Sequence, residues 1–429
     1  MRNETHDASA ASWVDSANTP ETDFPIQNLP FATFSRPGAR DARVGVAIGD
    51  AILDLEAVGL QGRTLNELLA MPAVERSHLR LSLHRLLRAD AGAAAREHAA
   101  GFLTPSRELE LRLPVAVGDY TDFFGSIFHA VNAASMLRPN APFFPNYRHM
   151  PLGYHGRASS IVVSGTDVSR PRGVFRRRDN GVVYAPSRRL DYEAELGFVI
   201  GEANAHGSTV AADRGWDHVA GVCLLNDWSA RDIQAWESDP LGPFLAKSFM
   251  TTISPWVVTT EALEPFRVHA EPRAPEDPPL LPYLLGQEGE AAALAIEVEV
   301  RLQTAAMRDA GEEAVRVSCS NTRTLYWTAA QLVAHHTSNG CNLRAGDLLG
   351  SGTCSGPERE SWACLLERTR GGREPLLLPN GEARAFLEDG DEVIIHGRCS
   401  APATRGIGFG ECRGRVVAVS SEETRAARS

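Results

Sequence analysis

The chain has 429 residues, of which 43% are apolar and 23% are charged, and its formal net charge is −11. This length exceeds what one ordinary hydrophobic core holds, so we expect two domains, and the composition excludes a disordered chain or a small disulfide-stapled protein. The excess of 54 acidic over 43 basic residues, without a long basic run, argues against a nucleic-acid-binding protein but leaves a small anionic substrate open.

Cysteine usage and the lack of long apolar runs indicate a cellular location. The seven cysteines are odd in number and include no C-x-x-C pair, which is typical of a reducing cytosol. No apolar run approaches the ~18 to 20 residues of a membrane span, and Glu4, Asp7 and Asp15 interrupt the region where a signal peptide needs an apolar stretch. We therefore expect a soluble, cytoplasmic protein with neither nucleic acid nor membrane as a partner.

The first 118 residues predict a leader and a small domain. Residues 1–22 are small and polar without periodicity, so we expect a mobile leader. Two β-rich runs flank Gly49 and Asp50, a hairpin signal, and residues 63–101 are rich in helix-forming residues. Pro105 and Pro114 break that pattern, so we place a β-domain with a helical stretch over residues 23–118.

Residues 119–429 have a different pattern, in which short apolar β-runs are separated by Gly and Pro. Only two segments, residues 226–238 and 328–338, are strongly predicted as helices. The sequence therefore predicts a mainly β, α+β fold for this second domain.

Two carboxylates lie on one predicted strand. Glu193 and Glu195 are two residues apart, so alternation of strand side chains places them on the same face. Like charges side by side are unfavourable unless a cation or water screens them. An exposed strand face is the alternative, although the apolar run over residues 196–200 favours burial.

A third carboxylate begins the predicted helix over residues 226–238. Asp227, Arg231, Gln234 and Ser238 recur at i, i+4, i+7 and i+11, so we expect one helical face to carry all four. Asp227 near the helix start suits either a cap or a metal ligand. An ordinary i, i+4 ion pair of Asp227 with Arg231 is the alternative.

Asp122 is a fourth candidate, with His129 seven residues further on. If this stretch is helical, two turns place both residues on one side, although isolated histidines are more often structural than catalytic. Together with the other three acids, Asp122 completes an all-oxygen set without Cys or His. Such a set favours Mg²⁺ or Ca²⁺ over Zn²⁺.

Candidates for anion recognition lie near Gly and Pro, which predicts loops. They are Arg138, Tyr154, Lys247 and Thr353. Each could equally be an ordinary surface or turn residue. Neither a nucleophile elbow nor a dinucleotide-binding glycine loop has the required spacing in this chain.

Several motifs together resemble the fumarylacetoacetase family. They are Phe24-Pro-Ile-Gln-Asn-Leu-Pro-Phe, Val44-Gly-Val-Ala-Ile-Gly-Asp, Asp119-Tyr-Thr-Asp-Phe, Gly153-Tyr-His-Gly-Arg-Ala-Ser-Ser, Asn226-Asp-Trp-Ser-Ala-Arg-Asp-Ile-Gln, Pro240-Leu-Gly-Pro-Phe-Leu and Asn339-Gly-Cys-Asn-Leu-Arg. The resemblance spans residues 23–420. It is specific, because smaller relatives share the acidic set but lack the N-terminal domain.

The resemblance implies an SH3-like N-terminal β-barrel, a C-terminal mixed β-roll and a homodimer. It implies hydrolysis of the carbon–carbon bond of an anionic β-diketone, 4-fumarylacetoacetate, to fumarate and acetoacetate, a step of tyrosine and phenylalanine breakdown. It also implies residue roles by motif position, with Ca²⁺ and/or Mg²⁺ as cofactor. The implied cation ligands are Asp122, Glu193, Glu195 and Asp227, with Lys247 and Thr251 at a second cation position. The implied base is His129, oriented by Glu367, and the implied oxyanion donors are Arg231, Gln234 and Lys247. The implied substrate contacts include Arg138, Tyr154, Gln234 and Thr353.

Three positions depart from the family pattern. Phe124 stands where the family has a phenol, Ser238 stands where it often has Tyr, and Met250 replaces a glycine. Phe124 and Ser238 are substrate-contact candidates, so the substrate could instead be an acylpyruvate or a related dioxo acid. A non-enzymatic calcium-binding module is a further alternative.

Overall fold

The computed structural model describes residues 2–419, except residues 139, 141, 142, 178, 288 and 290. Met1 of the expected leader and residues 420–429 of the expected second domain therefore lie outside the described residues. In the first part of the chain the strands are β1 (Phe31–Ser35), β2 (Arg43–Ile48), β3 (Ala51–Asp54), β4 (Leu103–Pro105) and β5 (Glu110–Leu111), and the helices are α1 (Leu65–Leu69), α2 (Ala73–Leu87) and α3 (Ala93–Ala100).

The N-terminal strands form one antiparallel sheet in the order β4-β3-β2-β1-β5. The predicted hairpin is present, because Ile48 pairs with Ala51 and Gly49 adopts the positive φ of 57° that the two-residue turn requires. Helices α1 to α3 lie within the predicted helical stretch. All residues of this sheet are described, and no ladder among them joins β4 to β5.

The segment before this sheet is packed, contrary to the mobile leader we expected. Short 3-10 turns form at Glu4–His6 and Asp15–Asn18, and Val14 and Ala17 are buried. The Ser12 hydroxyl donates to the Leu87 carbonyl at 2.7 Å at the end of α2. The segment has no periodicity because long-range contacts, rather than regular structure, hold it in place.

The second part of the chain contains most of the strands. They are β6 (Tyr120–Phe123), β7 (Gly153–Gly156), β8 (Ile161–Val163), β9 (Val168–Ser169), β10 (Arg172–Arg176), β11 (Val182–Pro186), β12 (Leu190–Asp191), β13 (Ala194–Ile200), β14 (Val219–Asp227), β15 (Ser229–Ala230), β16 (Thr251–Ile253), β17 (Val258–Thr259), β18 (Arg267–Val268), β19 (Ala293–Leu294), β20 (Glu297–Gln303), β21 (Val315–Asn321), β22 (Leu348–Gly350), β23 (Leu376–Leu377), β24 (Ala383–Arg384), β25 (Glu392–Cys399) and β26 (Ile407–Val417).

In the part of this region that the structure describes, eight α-helices connect the strands. They are α4 (Ile127–Leu137), α5 (Ala212–Gly215), α6 (Arg231–Glu237), α7 (Leu245–Ser248), α8 (Thr260–Leu263), α9 (Ala305–Asp309), α10 (Ala329–Thr337) and α11 (Leu365–Arg368). Helix α10 matches the predicted helix over residues 328–338. It begins with a capping box of Thr328 and Gln331. No helix among the described residues has the length and apolar character to cross a bilayer.

Two larger sheets organise the second part of the chain as a mixed α/β fold. One has the order β7-β6-β22-β13-β14-β16-β8, with β17 also paired to β14, and the other has the order β21-β20-β25-β26-β9. Phe198 and Leu224 from the first sheet share a core with Val300 and Ile395 from the second. The opposite face of the first sheet packs on residues from the first part of the chain, so strands β13 and β14 are covered on both sides.

The structure corrects two of our helix assignments. Residues 219–227 form strand β14, and helix α6 begins only at Arg231, so Asp227 does not share a helical face with Arg231, Gln234 and Ser238. The apolar run before Asp227 is a buried central strand, and buried strands and buried helices are alike in apolar content. Asp122 likewise lies on strand β6, whereas His129 lies on helix α4.

Candidate active site

Four buried carboxylates meet at the ends of three strands. Asp122 is on β6, Glu195 is at the start of β13 with Glu193 just before that strand, and Asp227 is the last residue of β14. Each offers an oxygen that lies within 4.8 Å of the others. Residues distant in sequence therefore form one acidic centre, and Glu193 and Glu195 share a face as predicted.

The sheet register brings these carboxylates together. Strand β22 lies between β6 and β13, and its Gly350 pairs with Asp122. A Cβ added at Gly350 would lie 2.2 Å from Asp122 Oδ1 and 3.2 Å from Glu195 Oε2. Glycine at this position therefore leaves the space that the two carboxylates occupy.

The electrostatics of the acidic centre suit a hard cation. Burial raises the pKa of Asp122 and of Glu195 well above the usual range, and neighbouring carboxylates raise both further. Asp122 Oδ1, Glu195 Oε1 and Asp227 Oδ1 have no hydrogen-bond partner among the described residues. Orphaned, buried carboxylate oxygens in an all-oxygen set fit a divalent ion such as Ca²⁺ or Mg²⁺.

Lys247 and Tyr154 contact the same carboxylates. Lys247 Nζ donates to Glu193 Oε2 at 2.6 Å and to Asp227 Oδ2 at 2.5 Å, and the Tyr154 hydroxyl donates to Asp227 Oδ2 at 2.8 Å. Burial opposes ionisation of Glu193, but the Lys247 and Arg231 cations outweigh it and hold the pKa of Glu193 well below its usual range. Thr251 is buried opposite Asp227 in the β14–β16 ladder.

A histidine–carboxylate pair lies beside the acidic centre. His129 Nδ1 is 2.6 Å from Glu367 Oε2, and its Nε2 is 3.6 Å from Glu193 Oε1. The Ser355 hydroxyl and the Asn132 amide also donate to Glu367, at 2.6 and 2.8 Å. Burial would lower the pKa of His129, but Glu367 and Glu193 outweigh it and raise the pKa to about 9.

Arg231 is buried and held by two acidic side chains. Its Nε donates to Asp191 Oδ2 at 2.9 Å, and its Nη1 lies 2.7 Å from Glu193 Oε1. Nη1 also donates to the Gln234 side-chain oxygen at 3.0 Å. Arg231 and Gln234, three residues apart on α6, therefore face the acidic centre together.

A cavity of about 390 Å³ joins these groups. Its lining combines charged side chains with apolar ones that include Phe124, Leu137 and Phe144. Of the candidates named from the sequence, the lining residues are Asp122, Phe124, His129, Arg138, Tyr154, Glu193, Glu195, Arg231, Gln234, Ser238, Lys247 and Thr353. Glu367 lies behind His129, and Asp227 and Thr251 are buried at the acidic end without lining the cavity.

The substrate-contact candidates differ in exposure. Arg138 is exposed, with its guanidinium 5.1 Å from the centre of the Phe144 ring. Thr353 is buried, and its hydroxyl has no partner among the described residues. The Phe124 ring packs edge-on against His129, and the Ser238 hydroxyl donates to the Gln234 carbonyl at 2.6 Å. Met250 is buried in the core away from the cavity lining.

Sequence reasoning missed several residues that support the site. They are Asn132, Asp191, Ser355 and Cys364, whose thiol is 3.2 Å from Glu367 Oε2. A signal existed for Asp191, because Asp191, Glu193 and Glu195 continue a single two-residue period. Asn132 lies 235 residues from Glu367 in the chain, whereas Ser355 and Cys364 lie 12 and 3 residues from it without a pattern that marks them.

Comparison with known proteins agrees with this geometry. Residues 27–114 match the fumarylacetoacetase N-terminal family and residues 123–417 match the fumarylacetoacetate hydrolase C-terminal family. The chain is 45% identical to a curated fumarylacetoacetase of Arabidopsis thaliana, over 95% of this chain and 98% of the relative, and 42% identical to the fumarylacetoacetase of Homo sapiens, over 92% and 97%.

Solved structures share the fold at lower identity. A fumarylacetoacetate hydrolase from Exiguobacterium antarcticum superposes with a TM-score of 0.51 at 18% identity, covering 91% of this chain and all of that one. A putative HpcE protein from Mycobacterium smegmatis gives 0.53 at 18% identity, over 90% and 99%.

The mixed α/β fold and the buried acidic centre define a hydrolase of the fumarylacetoacetate hydrolase type. The two family matches and the near full-length similarity then settle its place within that class. The chain belongs to the fumarylacetoacetase family.

Proposed function

We propose that this protein hydrolyses the carbon–carbon bond of 4-fumarylacetoacetate to give fumarate and acetoacetate. The observation that carries the proposal is the His129–Glu367 pair facing a buried four-carboxylate centre in one cavity. The near full-length similarity to curated fumarylacetoacetases supports this substrate over acylpyruvates. A calcium-binding module would have no use for the buried His129, Arg231 and Lys247 around the same cavity.

His129 acts as the general base in this proposal. With Nδ1–H donated to Glu367, the lone pair of Nε2 faces the cavity and takes a proton from water, a role worth ~10² to 10⁴ in rate. The imidazole must be neutral to do so. Glu193, one of the two carboxylates that raise the pKa of His129, is also a proposed cation ligand, so a bound cation would weaken its pull on the proton.

Arg231, Gln234 and Lys247 provide the oxyanion donors. The hydroxide adds to the fumaroyl carbonyl carbon, and the carbonyl oxygen becomes an oxyanion. Hydrogen-bond donors to such an oxyanion each typically raise kcat by ~10² to 10³. The carbon–carbon bond then breaks, and the electron pair leaves with the acetoacetate portion as an enolate. The His129 imidazolium returns its proton to the enolate carbon that was bonded to the fumaroyl group. A divalent cation bound by Asp122, Glu193, Glu195 and Asp227 would supply Lewis acidity for developing negative charge.

The remaining lining residues bind substrate. Thr353 offers a buried hydroxyl with no partner among the described residues, and Arg138 offers a cation at the apolar side of the cavity. Tyr154 and Ser238 present hydroxyls, whereas Phe124 presents only a ring. We assign Ca²⁺ or Mg²⁺ to Asp122, Glu193, Glu195 and Asp227, with Lys247 and Thr251 beside a second cation position.

The proposal extends to the whole protein. The similarity to whole fumarylacetoacetases supports an SH3-like arrangement of the β1–β5 sheet, a catalytic domain over residues 119–429, a cytoplasmic location and a role in tyrosine and phenylalanine catabolism. Exposed apolar side chains at Val174, Tyr184, Leu241 and Phe244 support a homodimer. Sedimentation of the purified protein tests the dimer directly.

The central test is turnover of the diketone. With added Mg²⁺ or Ca²⁺, the purified protein should release fumarate, and His129→Ala should lose nearly all kcat while keeping a normal thermal unfolding midpoint (Tm). His335→Ala is a matched control, because His335 is partly buried outside the cavity and should leave kcat unchanged. A higher kcat/KM on acylpyruvates would contradict the assignment of 4-fumarylacetoacetate as the substrate. Full activity in His129→Ala would contradict the role of His129 as the base.

Cation removal gives an independent prediction. Dialysis against a chelator should abolish turnover and lower Tm, because the acidic side chains then lose the charge that neutralises them. Adding Ca²⁺ or Mg²⁺ back should restore both. Turnover that survives complete removal of divalent ions, measured by elemental analysis, would contradict the cation assignment.

A further inference from the structure

Asp191 is a buried carboxylate that contacts both Arg231 and the helix that carries Glu367. Its side chain is fully buried and does not line the cavity. Oδ2 accepts from Arg231 Nε at 2.9 Å and from the Leu366 amide at 2.8 Å, and Arg231 Nη2 lies 2.9 Å from the same oxygen. Oδ1 accepts from the Leu365 amide at 2.7 Å. One carboxylate thus holds a guanidinium and the first turn of helix α11.

Both partners of Asp191 bear on the proposed chemistry. Arg231 is an oxyanion donor, and α11 carries Glu367, whose carboxylate fixes the His129 ring at 2.6 Å. Helix α11 has only one turn, so its position depends on contacts at its ends rather than on its own hydrogen bonds. The first of these end contacts is Asp191.

We propose that Asp191 is a positioning residue that sets the geometry of the base and of the oxyanion donor together. This inference rests on the proposed function and deepens it. In Asp191→Asn the side-chain NH₂ group faces either the Leu365 amide, at the Oδ1 position, or both Arg231 and the Leu366 amide, at the Oδ2 position. All of these groups are donors, so at least one of the hydrogen bonds that hold Arg231 and α11 must break. The site then loses alignment at His129 or at Arg231, although Asp191 itself does not line the cavity.

The chain offers a matched control in Asp391. This residue is equally buried and accepts from Arg384 Nε at 2.8 Å, from Arg384 Nη2 at 3.1 Å and from the Glu388 amide at 2.9 Å. It lies outside the cavity lining. Asp391→Asn therefore removes a comparable buried carboxylate–arginine contact and should destabilise the fold similarly, without contacting the active site.

The experiment compares the two variants well below both unfolding transitions. We expect Asp191→Asn to lower kcat by about 10²-fold or more with little change in KM, because the lost alignment matters mainly in the transition state. Asp391→Asn should lower Tm but keep kcat. Equal kcat in the two variants overturns the proposal. If Asp191→Asn does not fold, Asp191→Glu, which keeps the charge but displaces it, takes its place against Asp391→Glu.

A second readout does not depend on substrate. The His129 Nδ1–H donated to Glu367 should give a downfield proton resonance, assigned by its loss in His129→Gln. We expect this signal to broaden or shift in Asp191→Asn and to persist in Asp391→Asn; an unchanged signal together with unchanged kcat would show a purely structural role. If the wild-type protein releases no fumarate, the proposed function fails, and the resonance still decides the role of Asp191.

Discussion

At the scale of single residues, the acidic centre depends on the missing side chain of Gly350 as much as on its carboxylates. Gly350 sits in the middle of the sheet between Asp122 and Glu195, where a methyl group would overlap a carboxylate oxygen. Its neighbours on β6 and β13 hold the backbone on both sides, so the strand cannot retreat. The carboxylates would have to turn away instead.

This contact yields a test by Gly350→Ala. We expect the variant to fold but to bind Ca²⁺ or Mg²⁺ weakly, measured as a lost calorimetric signal and a lost cation-dependent rise in Tm. Gly397→Ala is the matched control, because its Cβ would lie 2.7 Å from the core side chain of Leu224 rather than near the site. It should lower Tm with cation affinity intact. Normal cation affinity in Gly350→Ala would contradict the assignment.

At the scale of elements, the helix that carries His129 is fixed at its start. Ser126 caps α4 by accepting from the His129 amide at 3.2 Å, and its hydroxyl donates to the Ser355 carbonyl at 2.6 Å. The Ser355 hydroxyl in turn donates to Glu367. The cap therefore orients the base as well as stabilising the helix.

Two cap variants separate these effects. Ser126→Ala should lower the free energy of unfolding by about 1 kcal/mol and also lower kcat, because the first turn of α4 loses its anchor. Thr328→Ala at the capping box of α10 should cost a similar free energy, again about 1 kcal/mol, with kcat unchanged. Urea unfolding gives the first quantity and steady-state kinetics the second. Equal kcat in both variants would mean that the α4 cap is only structural.

The elements also show what the sequence can predict. Strand alternation predicted that Glu193 and Glu195 share a face, and the helical pattern over residues 328–338 located α10, because both depend on local periodicity. The change from β14 to α6 between Asp227 and Arg231 could not be located, since central strands have no polar face. Asp191 was missed because its partners Leu365 and Leu366 lie more than 170 residues away.

At the scale of the whole molecule, a buried histidine near the N-terminal segment makes stability depend on pH. His84 on α2 is buried near Glu4 and His6, and neither ring nitrogen has a partner among the described residues. Burial, with the cations Arg80 and Arg88, lowers the pKa of His84 to about 4. Because the unfolded chain binds this proton more readily, the contribution of His84 to stability is present above pH 6.5 and is lost as the pH falls toward 4.

A comparison of His84→Leu with the wild type measures this effect. Other groups titrate in both proteins, but the wild type should lose about 2 kcal/mol more stability between pH 7.5 and pH 4.5 than the variant. Urea unfolding at the two pH values gives the difference. Parallel losses in both proteins would mean that His84 is protonated as easily in the folded as in the unfolded state.

The position of β22 has a consequence for biosynthesis. Residues 348–350 insert between β6 and β13, two strands that are translated more than 140 residues earlier. Until β22 has been synthesised, β6 and β13 each have an unpaired edge. Asp122 and Glu195 then lack the β22 backbone that lies between their strands in the folded protein. The nascent protein therefore passes through a long aggregation-prone interval in which chaperones would act. The enzyme becomes competent only when the last quarter of the polypeptide has emerged.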